Sequence, residues 1–379
     1  MRILFSSGAF WPVIGGVEVR AAKLLPALRE RGHECIVVTG QSSPALPAHA
    51  IFQGIPIYRF PFGEIGQNLN LLTKIKQQIQ TLKRSFAPDL VHRNGVGADA
   101  FFCLTAAKDP RIPLVVTLIN DLLTQSTRLD SLLDHLLRSA DWVTTVSASA
   151  LAQVRTLVPE LISRSTVIHS GLQHQAFVPP PLPTDVPRLL CLGRLVRQKG
   201  FDIALEALSA VIRSFSQTRL VIAGDGPERA ALEQQAVQMG LVRAVDFLGW
   251  VPPDQVPAVL ASATVVVMPS RWEGLPNVAL QAGLMARPVV GSWAGGLPEI
   301  IEHGETGLLM APEDSGALVD AITSLLGNPE TAVRMGQAAR ARVLKEFGWQ
   351  RYVDAYDSLY RKLGDTKETV ASVDVQVGE

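Results

Sequence analysis

Twice along this chain, short uncharged runs rich in Val, Ile and Leu alternate with amphipathic stretches, and that double alternation restricts the fold more than any other feature. The first series reads RILFS, a helical pattern over 17–31, CIVVT, IPIYRF, a helical pattern after Asn68, DLVH, a helical pattern over 98–108, LVVTL and WVTTV. The second reads RLLCLG, a helical pattern over 201–215, RLVIAG, another over 227–240, AVDFLG, a short helix reaching Ala261, TVVVMPS, a helix over 276–286 and PVVG. Strand-like runs that are apolar throughout, separated by amphipathic segments of about ten or more residues, predict parallel sheets covered on both faces by helices. Between the series lies VPPPLPTDVP, where proline removes backbone donors and fixes φ, so neither helix nor strand continues.

The resulting division is a Rossmann-like domain over 1–177, a proline-rich linker over 178–187 and a second Rossmann-like domain over 188–346. A terminal helix over 347–363 is free to pack back on the first domain, and a tail over 364–379 is expected to lack structure. A length of 379 residues suits two domains better than one. Doubly wound sheets bind ligands at the carboxyl ends of their strands, so two such domains facing across a cleft would share one site.

Lys plus Arg number 35 and Asp plus Glu number 35, so no global field favours nucleic acid, and any phosphate site must come from local placement. Cys35, Cys103 and Cys191 each sit in an apolar run without a C-x-x-C partner and read as buried, reduced thiols. The opening MRILFSSGAFWP lacks the apolar core of a signal peptide, and no long uncharged apolar run follows. The expectation is a cytoplasmic protein, with peripheral contact at the inner face of the membrane left open.

The informative loops follow strands. After RILFS, Gly15 and Gly16 open a helix, and without Cβ atoms they let backbone amides approach a phosphate or sugar; the plain alternative is a tight turn. After RLLCLG, Arg194 and Lys199 place two cations at a sheet edge where a diphosphate could be clamped, unless they are only solvated loop charges. After TVVVM, the run PSRWEGLPN sets Glu273 before a helix that Pro276 would start at its first position, leaving amides free for an anion. A carboxylate beside bound diphosphate needs other partners, such as sugar hydroxyls. Gly226 in AGDGPE and Gly249 in DFLGWV leave room for a flat base against the backbone, or are turns. Gly295, Gly296 and Glu299 in WAGGLPEII read as further lining of the cleft.

In this order, FWPVIGGVE, LRERGHE, PDLVH, ADWVTTVS, GRLVRQKG, VIAGDGPE, FLGWV, PSRWEGLPN and GGLPEIIEHGETGLL resemble the retaining glycosyltransferases of family 4, the group 1 transferases, over nearly the whole chain. The resemblance implies the GT-B fold, an α/β architecture of two Rossmann-like domains, and transfer of a sugar from a nucleoside diphosphate sugar to an acceptor hydroxyl. It implies Arg194 and Lys199 on the diphosphate, Gly16 near the phosphates and Glu273 on the donor sugar, with Leu275 and Pro276 contributing the phosphate-binding turn and Asn277 among the donor-binding residues. The expected acceptor is a sugar or a lipid-linked acceptor. No cofactor and no metal is expected, since no Asp-x-Asp, no H-x-x-x-H and no histidine–cysteine partner spacing occurs.

Two positions depart from the family pattern. Gln281 stands where a second glutamate is expected toward the ribose, and Ile119, in LVVTLIND, where a histidine is expected. Asn120 and Asp121 follow it, and these three with His92 of DLVH are the acceptor-side candidates. The departures motivate a rival reading, a catalytically impaired transferase fold kept as a binding or partner subunit. A second rival is a nicotinamide-dependent oxidoreductase, since GVGADA after DLVH mimics a dinucleotide fingerprint.

Overall fold

The computed structural model describes residues 1–13, 15–97, 99–108, 111–119, 131–173 and 178–374. It divides into two compact units, one formed by Met1–His169 with Gln350–Glu379 and the other by Ser170–Trp349.

The first unit holds an eight-stranded sheet. Its strands are β1 (Arg2–Ser7), β2 (Glu34–Gly40), β3 (His49–Phe52), β4 (Ile55–Phe60), β5 (Leu90–Asn94), β6 (Leu114–Leu118), β7 (Trp142–Thr145) and β8 (Ser165–Val167), in the order β3-β4-β2-β1-β5-β6-β7-β8. Neighbours pair in parallel except β3 with β4, which form an antiparallel hairpin. The hairpin turns at Gln53 and Gly54, both with positive φ (48° and 76°), the backbone that matches the twist of two strands joined by two residues. Strands β1, β5 and β6 are buried almost end to end, as an inner parallel sheet requires.

Helix Trp349–Asp374 completes this unit, although it follows the second unit in the chain. It continues beyond Gly364, where order was expected to end; DTKETVASVD contains no proline or glycine to stop it. Tyr352, Tyr356 and Tyr360, spaced so that they share one helix face, are all buried. Tyr360 Oη lies 2.5 Å from His92 Nδ1, and His92 Nε2 lies 2.7 Å from Thr117 Oγ1. Thr117 Oγ1 is in turn 2.6 Å from Thr144 Oγ1, so the helix is bonded into strands β5, β6 and β7. At its flank His33 Nε2 meets Asp357 Oδ1 at 2.6 Å, and Arg31 Nη2 meets Asp354 Oδ1 at 2.6 Å.

The second unit holds six strands, β9 (Arg188–Leu192), β10 (Arg219–Ala223), β11 (Val245–Gly249), β12 (Val265–Met268), β13 (Val289–Ser292) and β14 (Gly307–Met310). They are parallel and ordered β11-β10-β9-β12-β13-β14, so the chain moves outward in one direction from β9 and then in the other from β12. The gap between the carboxyl ends of β9 and β12 is the switch point of a doubly wound sheet.

The proline-rich stretch expected as a linker is fastened to this second unit. Arg287, 1% exposed, donates from Nη2 to the carbonyls of Pro180 (3.0 Å) and Pro181 (3.1 Å), and Thr264 Oγ1 donates to Pro183 O at 2.8 Å. The prolines supply carbonyls without competing donors, which suits a buried guanidinium. The boundary between units consequently falls between His169 and Ser170, ahead of the prolines rather than at 177.

Candidate active site

Two loops meet at the switch point of the second sheet. The loop after β9 runs Gly193-Arg194-Leu195-Val196 into a short 3-10 turn, Arg197–Lys199, and then helix Phe201–Ser214. The loop after β12 runs from Pro269 through Pro276 into helix Asn277–Leu284. Their backbones are stitched: Arg271 N donates to Gln198 O at 2.8 Å, and Gln198 Nε2 donates to Trp272 O at 2.9 Å. Gly200 lets them approach, with φ +64° and the place of a Cβ only 2.0 Å from Pro269 O.

Across this seam Lys199 Nζ donates to Glu273 Oε1 at 2.6 Å, and Ser270 Oγ donates to the same oxygen at 2.7 Å. Glu273 is 4% exposed, so its charge depends on these two donors. Both fall on Oε1; among the described residues no hydrogen bond occupies Oε2. Behind Glu273, the loop after β13 presses on the same backbone: Gly295 has φ +51° and would set a Cβ 1.8 Å from Glu273 O, and Gly296 N donates to Gly274 O at 2.9 Å. The glutamate is therefore held from its side chain and its main chain.

Arg194 is exposed, and among the described residues no carboxylate pairs with it. Pro276 is at the N-cap of helix Asn277–Leu284, one residue earlier than the first helical position expected for it; its ψ of 118° is extended, not helical. Pro276 makes no side-chain cap bond, and Ala279 N donates back to Pro276 O at 3.1 Å, with Leu275 buried beside this turn. Gln281 lies on the same helix, half-buried, one turn further on.

A support that sequence reasoning missed lies beside the pair. Arg271 forms a two-pronged bond with Asp202 (Nη1–Oδ1 2.9 Å, Nη2–Oδ2 2.7 Å) and a second with Glu313 (Nε–Oε1 2.5 Å, Nη2–Oε2 3.0 Å). It also donates from Nη1 to Arg197 O at 2.7 Å. Burial works to raise the Asp202 carboxyl, but the hydrogen bonds and charge of Arg271 outweigh it and hold the group below the usual range. The only signal in the sequence was the position of Arg271 two residues before Glu273; nothing in the spacing joins 202, 271 and 313.

Gly226 and Gly249 serve loop packing. Gly226 approaches Leu195 O (2.4 Å from the place of a Cβ), and Gly224, which accommodates Gly193 O at 1.8 Å, donates its N–H to Gly249 O at 2.7 Å. Neighbouring backbone explains the missing side chain at Gly226, whereas at Gly249 the positive φ of 73° does.

In the first unit, Gly15 is the extended N-cap of helix Gly16–Glu30, and Glu18 Oε2 sits 2.2 Å from the place of a Gly15 Cβ. An anion at this helix mouth would have to displace that carboxylate. Ile119 borders a small cavity with Arg20, Asn94, Thr117 and Tyr352, while Asn120 and Asp121 lie outside the described residues. His92 is not an accessible acceptor-side group: it is 1% exposed, both ring nitrogens are engaged, and burial with the nearby Arg93 charge lowers its pKa to about 3.

The GVGADA segment fails as a dinucleotide site for a local reason. Asp99, at the mouth of helix Ala100–Lys108, forms a buried pair with Arg93 (Nη2–Oδ1 2.9 Å), so a carboxylate occupies the place a pyrophosphate would need. Among the described residues no group of three or more His, Cys, Asp and Glu side chains is placed to hold a metal ion, and no helix is long and apolar enough to cross a membrane.

Comparison with known proteins decides the family. Residues 14–176 match "Glycosyltransferase Family 4" and residues 173–342 match "Glycosyl transferases group 1". The chain is 30% identical over 396 aligned positions to a glycogen synthase of Mycobacterium tuberculosis, covering 95% of this chain and 94% of that protein. This chain belongs to the group 1, family 4 glycosyltransferases. The GT-B glycosyltransferases share its fold: sucrose-phosphate synthase from Thermosynechococcus elongatus superposes with a TM-score of 0.83 at 24% identity, over 96% of this chain and 99% of that one. HepE of Anabaena, solved in complex with UDP-glucose, superposes with a TM-score of 0.74 at 23% identity, over 97% and 100%. As a glycosyltransferase, the chain carries its Lys199–Glu273 pair at the switch point of the group 1 half.

Proposed function

We propose that this glycosyltransferase moves a hexosyl group from a nucleoside diphosphate sugar to a hydroxyl of a sugar or lipid-linked acceptor, with retained configuration and without a metal ion. The carrying observation is the Lys199–Glu273 pair, 2.6 Å across the switch point, with the exposed Arg194 in the same loop. The bond from the anomeric carbon to the diphosphate oxygen breaks, and a bond from that carbon to the acceptor oxygen forms. Negative charge gathers on the departing diphosphate, where Arg194, Lys199 and the positive end of the dipole of helix Asn277–Leu284 stabilise it. The acceptor proton goes to a phosphate oxygen on the same face, so no side-chain base is needed and Ile119 is compatible with turnover. Glu273 Oε2 accepts from donor-sugar hydroxyls.

The complex of HepE with UDP-glucose, at a TM-score of 0.74, puts that donor first in a screen of nucleotide sugars. A donor at 100 times its Kd stabilises the fold by about 2.7 kcal/mol, enough for a thermal shift. Product anomers read by NMR test retention, and assay in EDTA tests metal use. Failure of every nucleotide sugar to move the transition would refute the proposal, whereas binding without turnover across many acceptors would favour the impaired-subunit reading that Ile119 and Gln281 motivate.

A further inference from the structure

Trp11 stands in the loop that leaves β1 at the carboxyl edge of the first sheet, and it is built to stay exposed. Its neighbour Phe10 is 1% exposed and packs edge-on to Phe52, with centroids 5.9 Å apart. Trp11 rests on the same Phe52 (5.2 Å, 34° between planes) yet keeps 41% of its surface open. Its backbone is fixed by Arg59 of β4, a 4% exposed guanidinium that donates from Nη2 to Trp11 O at 2.7 Å and from Nη1 to Pro47 O at 3.0 Å. Among the described residues Arg59 pairs with no carboxylate. Burying an arginine for two carbonyl bonds is costly, and one of those bonds ties the Trp11 backbone to β4. Beside it Gly8 faces open space, with no atom within 4 Å of where a Cβ would be.

We propose that Trp11 is the platform on which a pyranose ring of the acceptor stacks. This rests on the transferase reading above, whose donor groups lie in the second unit. The C–H face of a pyranose is apolar and its rim carries hydroxyls; an indole offers a flat apolar face and one N–H donor, which matches both. A rigid ring loses little entropy on contact. Insertion into a lipid surface would need a contiguous apolar patch; the exposed Ile51 next to Phe52 lies on the opposite face of β3 by strand alternation, so it does not extend the surface that Trp11 presents.

The chain has six tryptophans, so labelling with 5-fluorotryptophan yields six fluorine NMR signals, and Trp11→Phe identifies the one from Trp11. Methyl α-D-glucopyranoside, methyl α-D-mannopyranoside and methyl α-D-galactopyranoside are titrated separately. The expected result is a saturable shift of the Trp11 signal with at least one glycoside. With affinities of parent and variants compared by titration calorimetry, since the variants lack the reporter signal, Trp11→Ala should weaken binding by about 2- to 12-fold, with Trp11→Phe between it and the parent. A Trp11 signal unmoved by all three, or equal affinity in Trp11→Phe and Trp11→Ala, would overturn the proposal. Binding of UDP-glucose to the parent protein, read by thermal shift, separates this failure from failure of the transferase reading itself.

Discussion

Lys199 Nζ and Glu273 Oε1, 74 positions apart in the chain, meet at 2.6 Å and fasten the loop after β9 to the loop after β12. Replacing Lys199 with Met leaves a carboxylate that is 4% exposed with Ser270 as its remaining donor. Losing one partner of a fully buried pair costs about 3–5 kcal/mol. The Lys199 side chain is 20% exposed, so about 2 kcal/mol in denaturant unfolding is expected here, with donor turnover falling by about 100-fold or more. Adding Glu273→Gln should recover stability but not turnover.

Arg271 makes Asp202 a source of acid sensitivity. The folded Asp202 carboxyl is held below its unfolded value, near pH 3.9, so its contribution is complete above that pH and is lost as pH falls through the folded value. Asp202→Asn should flatten the stability profile below about pH 4. Equal acid limbs in the two proteins would dissociate this pair from folding.

His92 and His33 act at milder pH and with opposite chemistry. Burial lowers both, His92 to about 3, so the unfolded chain, titrating near 6.5, binds protons that the folded chain refuses. Through His92 stability therefore rises with pH from about 3 to about 6.5, by up to ~1.4 kcal/mol per pH unit, and His33 contributes in the same direction. His92→Phe should lower stability at pH 7, through loss of the bonds to Tyr360 and Thr117, yet make the decline toward pH 4 shallower. An unchanged slope would show that His92 titrates alike in both states.

Gly295→Ala and Gly304→Ala separate backbone strain from disturbance of the site. Both glycines have positive φ, +51° and +84°, but a Cβ at 295 would strike Glu273 O while one at 304 meets nothing within 4 Å. Gly304→Ala should cost about 1–2 kcal/mol and leave donor affinity alone. Gly295→Ala should also reduce donor affinity, measured by thermal shift with UDP-glucose.

Gln281→Glu should change donor KM more than kcat, since a ribose contact is the same in ground and transition states. Ile119→His tests the other departure: activity appearing only in the variant, from an inert parent, would identify the natural chain as a decayed transferase.

The alternation of apolar runs was enough to place both sheets, because inner parallel strands such as RILFS and TVVVM are buried on both faces and have no polar phase to confuse the pattern. The edge strands were harder. HAIF alternates exposed and half-buried residues around a two-residue turn, and STV of β8 is three residues long; neither stands out from a loop. At the site, Arg194, Lys199 and Glu273 were legible because each follows a strand in a short motif. The Arg271 bridge was not, since its partners at 202 and 313 come together only when the sheet is assembled. His92 misled for a related reason: a histidine at the end of DLVH looks available until the tyrosines of a helix more than 250 positions later cover it.

The tyrosine seam also has a bearing on how the chain is made. Strands β1–β8 leave the ribosome first, but His92, Thr117 and Thr144 wait for Tyr356 and Tyr360, which are synthesised after the whole of Ser170–Trp349. During translation the second unit has all its parts while the first still presents an unfilled apolar and polar groove. Nascent chains usually finish their domains from the amino end onward; here, of the two units, the one begun first is completed last.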